Sequence, residues 1–369
     1  MRKLKVYLLG PYPPPYGGIS IHIKRLYLNL YEKGVSTYIY AIGSKKETKL
    51  NLKQNKFITY VNIKMALWKI LFIEKNNIVH SHISGRVDKI ILGFFSLILR
   101  KKIIVTLHGN GIKGYYNRSN FLIKKILCFS LSKLSAIVVV NEELKNYLVN
   151  LNIPKSKIVV IPSYINPIIR EEDYIKIDRK VWYFIKHSKL KNKFILTGNG
   201  NIRFYNSQDL YGLDLLVELV HRLKLQGYNV SLVFALLGYD EQNKLERDYF
   251  KKLLSVIMKY NLQDDIYIYK TKDTEYYPIL EKTDIFIRPT NTDGYGISVV
   301  EALYLGKPAI ASDVCSRAEG TILFKNRNLD DLEQKTKLIL DNYEKYVKEI
   351  KNIEIKDYIN EIKQLYTSL

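Results

Sequence analysis

Short apolar runs alternate with amphipathic segments along most of the chain. Within residues 1–169 the apolar runs predict strands, and the segments between them predict helices with one apolar face. The predicted strands are 5–9, 36–41, 78–80, 103–108, 136–140 and 158–161, and the predicted helices are 19–33, 64–75, 86–99, 121–132 and 142–150. Because each helix returns the chain to the start of the next strand, the pattern predicts an α/β fold with a parallel sheet.

The same pattern begins again after residue 190. Further strands are predicted at 194–198, 230–236, 266–269, 285–288 and 309–311, and further helices at 213–226, 244–260 and 298–305. A chain of 369 residues, of which 47% are hydrophobic, can form two hydrophobic cores. We therefore predict two α/β domains at 1–169 and 191–345, a linker at 170–190, and a C-terminal helical segment at 346–369.

Two acidic residues bracket a turn with two glycines in the second half. The segment reads Asp293-Gly-Tyr-Gly-Ile-Ser-Val-Val-Glu301 and continues into a Gly-Lys-Pro turn and an apolar run. Glycines allow a ligand to approach the backbone closely, and the unpaired amides at the start of the following helix favour an anion. The pattern predicts a site for a diphosphate with neighbouring hydroxyl groups. The alternative is that Asp293 caps the turn and Glu301 is a solvated helix residue.

This segment resembles the acidic-x7-Glu signature and the following Gly-x-Pro strand of family 4, or group 1, glycosyltransferases. These are retaining enzymes with the GT-B fold. Further segments resemble family landmarks in the same order, at 10–20, 79–82, 105–109, 138–141 and 159–163, so that the resemblance covers residues 1 to about 340. It implies two Rossmann-like domains with parallel sheets facing across a cleft. It also implies that the C-terminal segment packs back on the N-terminal domain.

The resemblance assigns roles to individual residues. His108 stands at the position of the family histidine that approaches the donor sugar, and Asp293 and His108 are expected to hold that sugar as the catalytic residues. Arg203 resembles the basic residue that binds the donor diphosphate, and Glu301 the residue that binds the ribose. The expected donor-binding residues are Gly17, Gly18, Arg203, Gly294, Tyr295, Gly296, Ile297, Ser298 and Glu301.

Two positions depart from the family pattern. Tyr211 stands where the family usually has the lysine of a Lys-Gly pair, and Asp293 where glutamate is commoner. Without that lysine, the negative charge of the leaving diphosphate must be stabilised by Arg203, by the helix start and by a basic residue that the sequence does not place. Arg317 is a candidate for that residue. The shorter side chain of Asp293 still offers an acceptor to a sugar hydroxyl.

The histidines do not indicate a metal site. His80 and His82 alternate on one predicted strand end, but no third ligand is in view, which favours packing or acceptor contact. His108 alone could equally be a structural residue. No DxD-type signature is present in the sequence. We expect no metal and no cofactor, and a nucleotide-sugar donor as the substrate.

Positive charge is concentrated in the first half. Residues 1–169 contain 27 lysines and arginines against 6 acidic residues, a net charge of +21, whereas residues 170–369 contain 31 against 30, a net charge of +1. A general preference for lysine would raise both halves equally. The asymmetry indicates a partner that carries phosphate. Since no nucleic-acid-binding module accompanies the charge, nucleic acid is not expected as a partner.

Residues 120–133, with Lys113 and Arg118 just upstream, form a cationic amphipathic segment. We interpret it as a face that docks on an anionic membrane surface. The most apolar stretch, 90–99, has half of the ~20 residues that a spanning helix needs. Since no secretory signal precedes the first strand and Cys128 and Cys315 read as reduced thiols, we expect a cytoplasmic protein, peripheral on the inner face of the plasma membrane.

The combined interpretation is a retaining glycosyltransferase of the hexosyltransferase type. The resemblance implies that it moves a sugar from a nucleotide-sugar donor, a UDP-sugar by family frequency, to a glycan or diphosphate-lipid-linked acceptor in bacterial surface-polysaccharide synthesis. A GT-B sugar-nucleotide epimerase or hydrolase is one alternative, since it would share the fold and the nucleotide site. A noncatalytic subunit that binds glycan or nucleotide sugar is the other.

Overall fold

The computed structural model describes residues 4–14, 16–43, 57–271 and 274–369. Pro15, in the predicted glycine- and proline-rich loop, lies outside the described residues. The chain forms two compact units: Met1–Ile165 together with Asp357–Leu369, and Asn166–Lys356. Each unit contains a parallel sheet with helices packed on it. The predicted α/β class with two parallel sheets is confirmed.

The sheet of the first unit is parallel throughout. Its order is β3-β2-β1-β4-β5-β6-β7. The strands are β1 (Lys5–Gly10), β2 (Ser36–Ile42), β3 (Ile58–Val61), β4 (Ile78–Ser81), β5 (Lys102–Leu107), β6 (Ala136–Val139) and β7 (Ile158–Val160). The strand order reverses between β1 and β4, and in sheets of this kind ligands bind beyond the carboxyl ends of the strands at that point.

Successive residues of these strands enter two separate hydrophobic cores. Val6 and Leu8 of β1 point to one core and Leu9 to the other, as expected from the alternation of side chains along a strand. The helices on them are α1 (Gly18–Glu32), α2 (Ile63–Ile70), α3 (Arg86–Ile98), α4 (Gly111–Asn117), α5 (Phe121–Lys133) and α6 (Glu142–Asn150). Helix α1 packs in the core that contains Val6 and Leu8, whereas α2, α3 and α5 pack in the other.

Asparagine side chains begin several of these helices. The side-chain oxygens of Asn62, Asn120 and Asn141 accept hydrogen bonds from backbone amides three residues later, at 2.8, 2.9 and 2.8 Å. Each bond satisfies one of the amides that a helix start leaves unpaired. Helices α2, α5 and α6 therefore begin where the sequence provides the cap.

The sheet of the second unit has the order β12-β11-β8-β13-β14-β15 and is also parallel. Strands β9 and β10 form a separate antiparallel hairpin. The strands are β8 (Phe194–Gly200), β9 (Phe204–Tyr205), β10 (Gln208–Asp209), β11 (Val230–Leu237), β12 (Ile266–Thr271), β13 (Ile285–Arg288), β14 (Ala309–Ser312) and β15 (Ile322–Phe324). Here the strand order reverses between β8 and β13, which places the ligand position of such a sheet at their carboxyl ends.

Residues 170–190, predicted as a linker, form two helices of the second unit instead. Ile177, Val181 and Ile185 are buried in its core because they recur at intervals of four residues. The helices of this unit are α7 (Glu171–Ile175), α8 (Arg179–Leu190), α9 (Leu213–Leu225), α10 (Lys244–Lys259), α11 (Tyr277–Lys282), α12 (Ile297–Tyr304), α13 (Leu329–Asp341) and α14 (Tyr343–Lys351). The unit extends to Lys356 rather than to the predicted residue 345.

The last helix, α15 (Ile359–Ser368), belongs to the first unit. Ile359 and Ile362 are buried with α1 residues in the core beside Val6 and Leu8. The hydroxyl of Tyr366 lies 2.6 Å from Nδ1 of the buried His80 in β4. The C-terminal segment therefore completes the core of the unit that contains the N-terminus.

Within the described residues, no helix combines the length and the apolar composition needed to cross a bilayer.

Helices α3 and α5 approach closely at Gly93. A Cβ atom added to Gly93 would overlap the backbone carbonyl of Ser130. We expect Gly93→Ala to destabilise the first unit by about 1–3 kcal/mol, because neither helix can move apart without losing core contacts. Thermal unfolding followed by circular dichroism measures the change.

Gly111→Ala is the matched control, since a Cβ atom there meets nothing within 4 Å. Its melting temperature should equal that of the wild type or rise slightly, because alanine favours helix. Equal melting temperatures for Gly93→Ala and the wild type would show that the helix contact tolerates the methyl group.

Candidate active site

The candidate site of the second unit lies at the carboxyl ends of β8 and β13. Strand β8 ends at Gly200 and β13 ends at Arg288, and α12 begins at Ile297. The backbone of Gly296 has φ +79°, a left-handed conformation that disfavours side chains, and it turns the chain into α12. The structure thus places the glycine turn and the helix start at the point where the strand order reverses.

Glu301 and Ser298 are buried on α12. Glu301 is 3% exposed and Ser298 8% exposed. The Ser298 hydroxyl lies 3.2 Å from Oδ1 of Asn199, next to the end of β8. The alternative in which Glu301 is a solvated helix residue is therefore wrong, and its predicted contact with the ribose stays a prediction.

Two arginines bind Asp293. Its Oδ2 accepts from Nε of Arg288 at 2.6 Å and from Nη1 of Arg317 at 2.7 Å, and its Oδ1 accepts from Nη2 of Arg288 at 3.2 Å and from the Gly294 amide at 3.0 Å. Burial alone would raise the pKa of Asp293, but the two guanidinium groups outweigh it and hold the pKa well below its usual range. Asp293 is a fixed anion that orients two arginines, a role the sequence did not predict. Its contact with a donor sugar stays a prediction.

Arg288 is a basic residue of this cluster that the sequence analysis did not name. It ends β13, its side chain is 13% exposed, and its Nη1 lies 3.3 Å from the Ser298 hydroxyl and 3.5 Å from Oδ1 of Asn199. The signal for it was an arginine at the end of an otherwise apolar strand, Ile-Phe-Ile-Arg. Arg317, the candidate named from the sequence, is almost fully buried and binds Asp293 and the carbonyl of Ser312.

The aromatic ring of Tyr211 lies beside the guanidinium of Arg288. Its ring centre is 5.7 Å from Cζ of Arg288. The backbone amides of Tyr211 and Gly212 donate to Oδ1 of the buried Asp209, at 3.0 and 3.2 Å, and Gly212 has φ +68°. Burial raises the pKa of Asp209 to about 6, because the carboxylate is removed from water. The loop is thus held by hydrogen bonds, and it presents a ring where the family usually has an ammonium group.

Arg203 is placed differently from the buried arginines. It follows β8, its side chain is exposed, and its guanidinium makes no hydrogen bond or ion pair with the described part of the chain. An exposed guanidinium can turn towards a ligand, but it is not held in a fixed position. The predicted contact of Arg203 with the diphosphate stays a prediction.

The candidate site of the first unit is a cluster of histidines at the carboxyl ends of β4 and β5, of which His22 and His82 are buried and His108 is half-buried. His108 follows β5, and its Nε2 lies 2.9 Å from Nδ1 of His82 while its Nδ1 lies 2.9 Å from the Ser163 hydroxyl. Nδ1 of His22, on α1, donates to the carbonyl of Ser163 at 2.7 Å. Burial lowers the pKa of all three histidines, that of His22 to about 4, so the rings are neutral at pH 7.

His22 is the third member of this cluster, and the sequence analysis did not predict that it lies next to His82 and His108. Each of the three offers a nitrogen within 4.8 Å of the others. The Nε2 atoms of His22 and His82 have no hydrogen-bond partner among the described residues. Neutral imidazoles can ligate a transition metal, so the cluster is chemically able to hold one. His80 is different, because both its nitrogens are bonded, to Tyr366 and Thr106.

A cavity of about 290 Å³ opens beside His82 and His108 within the first unit. Lys89 of α3 also lines it, and its ammonium group donates to the carbonyls of Ile83, Ser84 and Gly85 at 2.9, 2.7 and 3.1 Å. Burial lowers the pKa of Lys89 to about 8. The lysine fixes the loop after β4, and the cavity is a concave surface with a few convergent polar groups, as ligand sites have.

Gly17 and Gly18 lie at the start of α1. The Gly17 amide donates to the Ser20 hydroxyl at 2.9 Å. That amide is therefore already satisfied, which favours the structural interpretation of a helix start for Gly17. The expected donor contact of these glycines stays a prediction.

Comparisons with known proteins agree with these two units. The family described as "Glycosyltransferase Family 4" matches residues 16–167, and the family described as "Glycosyl transferases group 1" matches residues 186–356. The chain belongs to the family 4, or group 1, glycosyltransferases. It is 23% identical over 368 residues to an uncharacterized glycosyltransferase of Methanocaldococcus jannaschii, a match that covers 92% of this chain and 90% of that protein.

Solved structures share the fold of this family 4 glycosyltransferase. A glycosyltransferase from Rickettsia africae has a TM-score of 0.70 and 17% identity, and the match covers 100% of this chain and 99% of that one. Anabaena HepE in complex with UDP-glucose has a TM-score of 0.72 and 12% identity, and covers 99% of both chains. The predicted GT-B fold of two Rossmann-like domains is confirmed.

The pairing of Asp293 with two arginines generates a test of stability. We expect Asp293→Asn to destabilise the second unit of this glycosyltransferase by about 3–5 kcal/mol, because it leaves two buried guanidinium groups without their counter-charge. Thermal unfolding of the purified protein measures the loss.

Asp214→Asn provides the comparison. Asp214 pairs with Arg327 at a more exposed position, where both side chains contact solvent. Its removal should cost less than that of Asp293, because solvent partly screens this pair. If the two variants lost equal stability, the buried cluster would not depend on the Asp293 charge.

Proposed function

We propose that this glycosyltransferase transfers a hexose, with retention, from a UDP-sugar to a glycan or diphosphate-lipid-linked acceptor in bacterial surface-polysaccharide synthesis. The observation that carries the proposal is the polar cluster at the carboxyl ends of β8 and β13. There a left-handed glycine, the start of α12, the buried Glu301 and fixed arginines occupy the ligand position of a parallel sheet. The Anabaena structure of the same fold contains UDP-glucose, which supports the choice of nucleotide.

In this proposal the donor diphosphate binds near the first turn of α12. Ile297 and Ser298 supply the backbone amides of the helix start, whose partial positive charge favours an anion. Gly294, Tyr295 and Gly296 form the turn that leads to it, and the Gly294 amide itself is bonded to Asp293. Glu301 accepts hydrogen bonds from the ribose hydroxyls. Arg203, whose exposed guanidinium can turn towards a ligand, adds a further charge.

Departure of the nucleoside diphosphate is the step that the site must assist. Negative charge grows on the diphosphate as the glycosidic bond breaks, and fixed positive groups stabilise it most where water is excluded. We propose that arginine and backbone amides do this without a metal ion. Because desolvation lowers the pKa of His108, the ring is neutral and would act on the donor sugar as a hydrogen-bonding group rather than as a cation.

The basic first unit supports a membrane surface as the location of the acceptor. Helices α2, α3 and α5 pack on the same core, and their outer sides carry exposed apolar residues. We define the apolar-basic face as the exposed residues Trp68, Phe72, Ile98, Phe121, Leu122 and Phe129 together with Lys69, Lys124, Lys125 and Lys133. The ammonium groups of Lys125 and Lys133 lie over the rings of Phe121 and Phe129, at 4.3 and 4.8 Å.

Such a face suits the interface of an anionic bilayer. Aromatic and leucine side chains enter the boundary of the acyl chains, while lysines remain at the headgroups, each contributing about 1 kcal/mol near an anionic surface. A lipid-linked acceptor is presented at that same interface. We therefore propose a peripheral association on the inner face of the plasma membrane.

Nucleotide sugars should stabilise the protein against heat. A ligand at 100 times its dissociation constant adds about 2.7 kcal/mol to the apparent stability. We expect UDP-glucose or a related UDP-sugar to raise the melting temperature in a panel that includes ADP-, GDP- and TDP-sugars. If no nucleotide sugar raised it, the donor assignment would be overturned.

The same donor distinguishes the classes of activity. A transferase releases UDP slowly with water and faster with the acceptor, and His108→Ala should abolish both reactions. An epimerase would instead isomerise the sugar without releasing UDP, and a noncatalytic subunit would bind the donor unchanged. Product analysis by mass spectrometry and NMR, with and without acceptor extracts, separates the three.

Binding to vesicles tests the membrane part of the proposal. We expect the protein to sediment with vesicles of phosphatidylglycerol and phosphatidylcholine, and less with phosphatidylcholine alone. The double variant Phe72→Ser, Phe121→Ser should bind at least about tenfold more weakly, since burial of even one of the two aromatic side chains contributes about 1.5–3 kcal/mol and about 1.4 kcal/mol is a factor of ten in affinity.

Leu190→Ser, Leu225→Ser is the matched control for that double variant. Both leucines are as exposed as the two phenylalanines, but they lie in the second unit. The control should bind vesicles as the wild type does. Equal sedimentation with neutral and anionic vesicles, or equal losses in the two double variants, would contradict a specific docking face.

A further inference from the structure

Arg288 has one edge of its guanidinium fixed and the other edge only loosely bonded. The Nε and Nη2 edge binds both oxygens of Asp293, at 2.6 and 3.2 Å. The Nη1 group faces Ser298 and Asn199 at 3.3 and 3.5 Å, distances at or beyond the upper end of normal hydrogen bonds. A stronger acceptor in that place would form shorter bonds without any movement of the side chain.

The loosely bonded edge points to the ligand position of the sheet. Asn199 lies near the end of β8, and Ser298 is in the first turn of α12. Arg288 itself is the last residue of β13. All three groups therefore surround the point where the strand order reverses, and the positive charge of Arg288 adds to the partial charge of the helix start.

The surrounding residues hold the guanidinium in this orientation. Arg317 binds the same Asp293 oxygen from another side and also the Ser312 carbonyl, so Asp293 cannot turn away. The ring of Tyr211 flanks the guanidinium at 5.7 Å. A cation held by packing and by a buried carboxylate pays little conformational entropy when it binds an anion.

We propose that Arg288 binds the diphosphate of the nucleotide donor through Nη1, and that Asp293 and Arg317 are the positioning residues that aim it. This inference rests on the proposed function. Arg288 thereby supplies a fixed charge to the leaving group, next to a tyrosine that can supply none. Asp293 acts on the donor through Arg288, so its loss affects the diphosphate before it affects the sugar.

Calorimetric titration with UDP and with uridine tests the proposal, because the two ligands differ by the diphosphate alone. In Arg288→Ala the dissociation constant for UDP should rise by about 10- to 100-fold, the range expected for loss of a charge-assisted hydrogen bond, while that for uridine stays unchanged. Arg288→Lys keeps the charge but loses the two-point contact with Asp293, and should lie between Arg288→Ala and the wild type.

Three further variants sharpen the result. Asp293→Asn should lower the affinities for UDP and for UDP-glucose equally, because it loosens Arg288. A loss of affinity for UDP-glucose alone would instead assign Asp293 to the sugar and overturn its positioning role. Arg288→Ala with Tyr211→Lys should recover part of the UDP affinity, since an ammonium group there can reach the same space. Arg222→Ala removes an arginine that is bound to Asp330 and Glu333 on α13, and should bind UDP as the wild type does.

The outcomes separate this inference from the function on which it rests. A dissociation constant from calorimetry reports on the folded molecules, so partial unfolding of a variant lowers the stoichiometry and leaves the ratio of the UDP and uridine constants intact. If the wild type binds UDP and Arg288→Ala binds it within about twofold as tightly, the inference is overturned and the proposed function stands. If the wild type binds no nucleoside diphosphate from a panel of UDP, ADP, GDP and TDP, both are overturned.

Discussion

The ion pairs between Asp293 and the two arginines organise the second unit around one buried carboxylate. Arg288 comes from β13, Arg317 from the segment after β14, and Asp293 from the turn before α12. One anion therefore ties together the ends of two neighbouring strands and the entrance of a helix. Taking these charges out of water is costly, and the cost is offset by several hydrogen bonds that each group makes. Compared with apolar residues in the same place, such a cluster contributes little net stability, although loss of one partner is costly. Its advantage is that it fixes the orientation of its groups, which is what a site for a charged ligand requires.

The first unit reaches a fixed geometry with neutral groups. His22, His82 and His108 are packed so closely that burial keeps all three uncharged, and Ser163 accepts from one ring through its carbonyl and contacts another through its hydroxyl. The positive charge that each ring would carry when protonated also lowers the pKa of its neighbours. The two units thus accommodate ionisable side chains away from water in opposite ways. The second unit pairs opposite charges, whereas the first keeps its histidines uncharged.

The sequence predicted the sheets well because parallel strands are buried on both faces and read as apolar runs. It missed the edge strands β3 and β15, which are only partly buried and therefore do not read as continuous apolar runs, and it missed the two-residue strands β9 and β10. It read 170–190 as a linker because lysines and arginines surround the apolar positions of α8, and only packing shows that Val181 and Ile185 share a buried face. The family signature predicted where the second site would be, and the glycine turn and helix start are there.

The contacts between side chains could not be predicted from the sequence for a different reason, because the partners are distant along the chain. Arg317 lies 24 residues from Asp293, and His22 comes from α1, well before His82, which follows β4. Periodicity places a residue on an element, but it does not say which distant side chain meets it. Arg288 was visible as a charge that ends an apolar strand, yet its meaning depended on Asp293, Ser298 and Asn199 converging on it.

The return of α15 to the first unit has a consequence for the order in which the chain acquires structure. The second unit is one continuous segment, Asn166–Lys356, inserted between two parts of the first. A nascent chain can therefore finish the inserted unit while the first still lacks Ile359, Ile362 and the Tyr366 hydroxyl that bonds His80. His80 lies beside His82 of the histidine cluster, so the surroundings of that cluster are complete only once α15 has been synthesised.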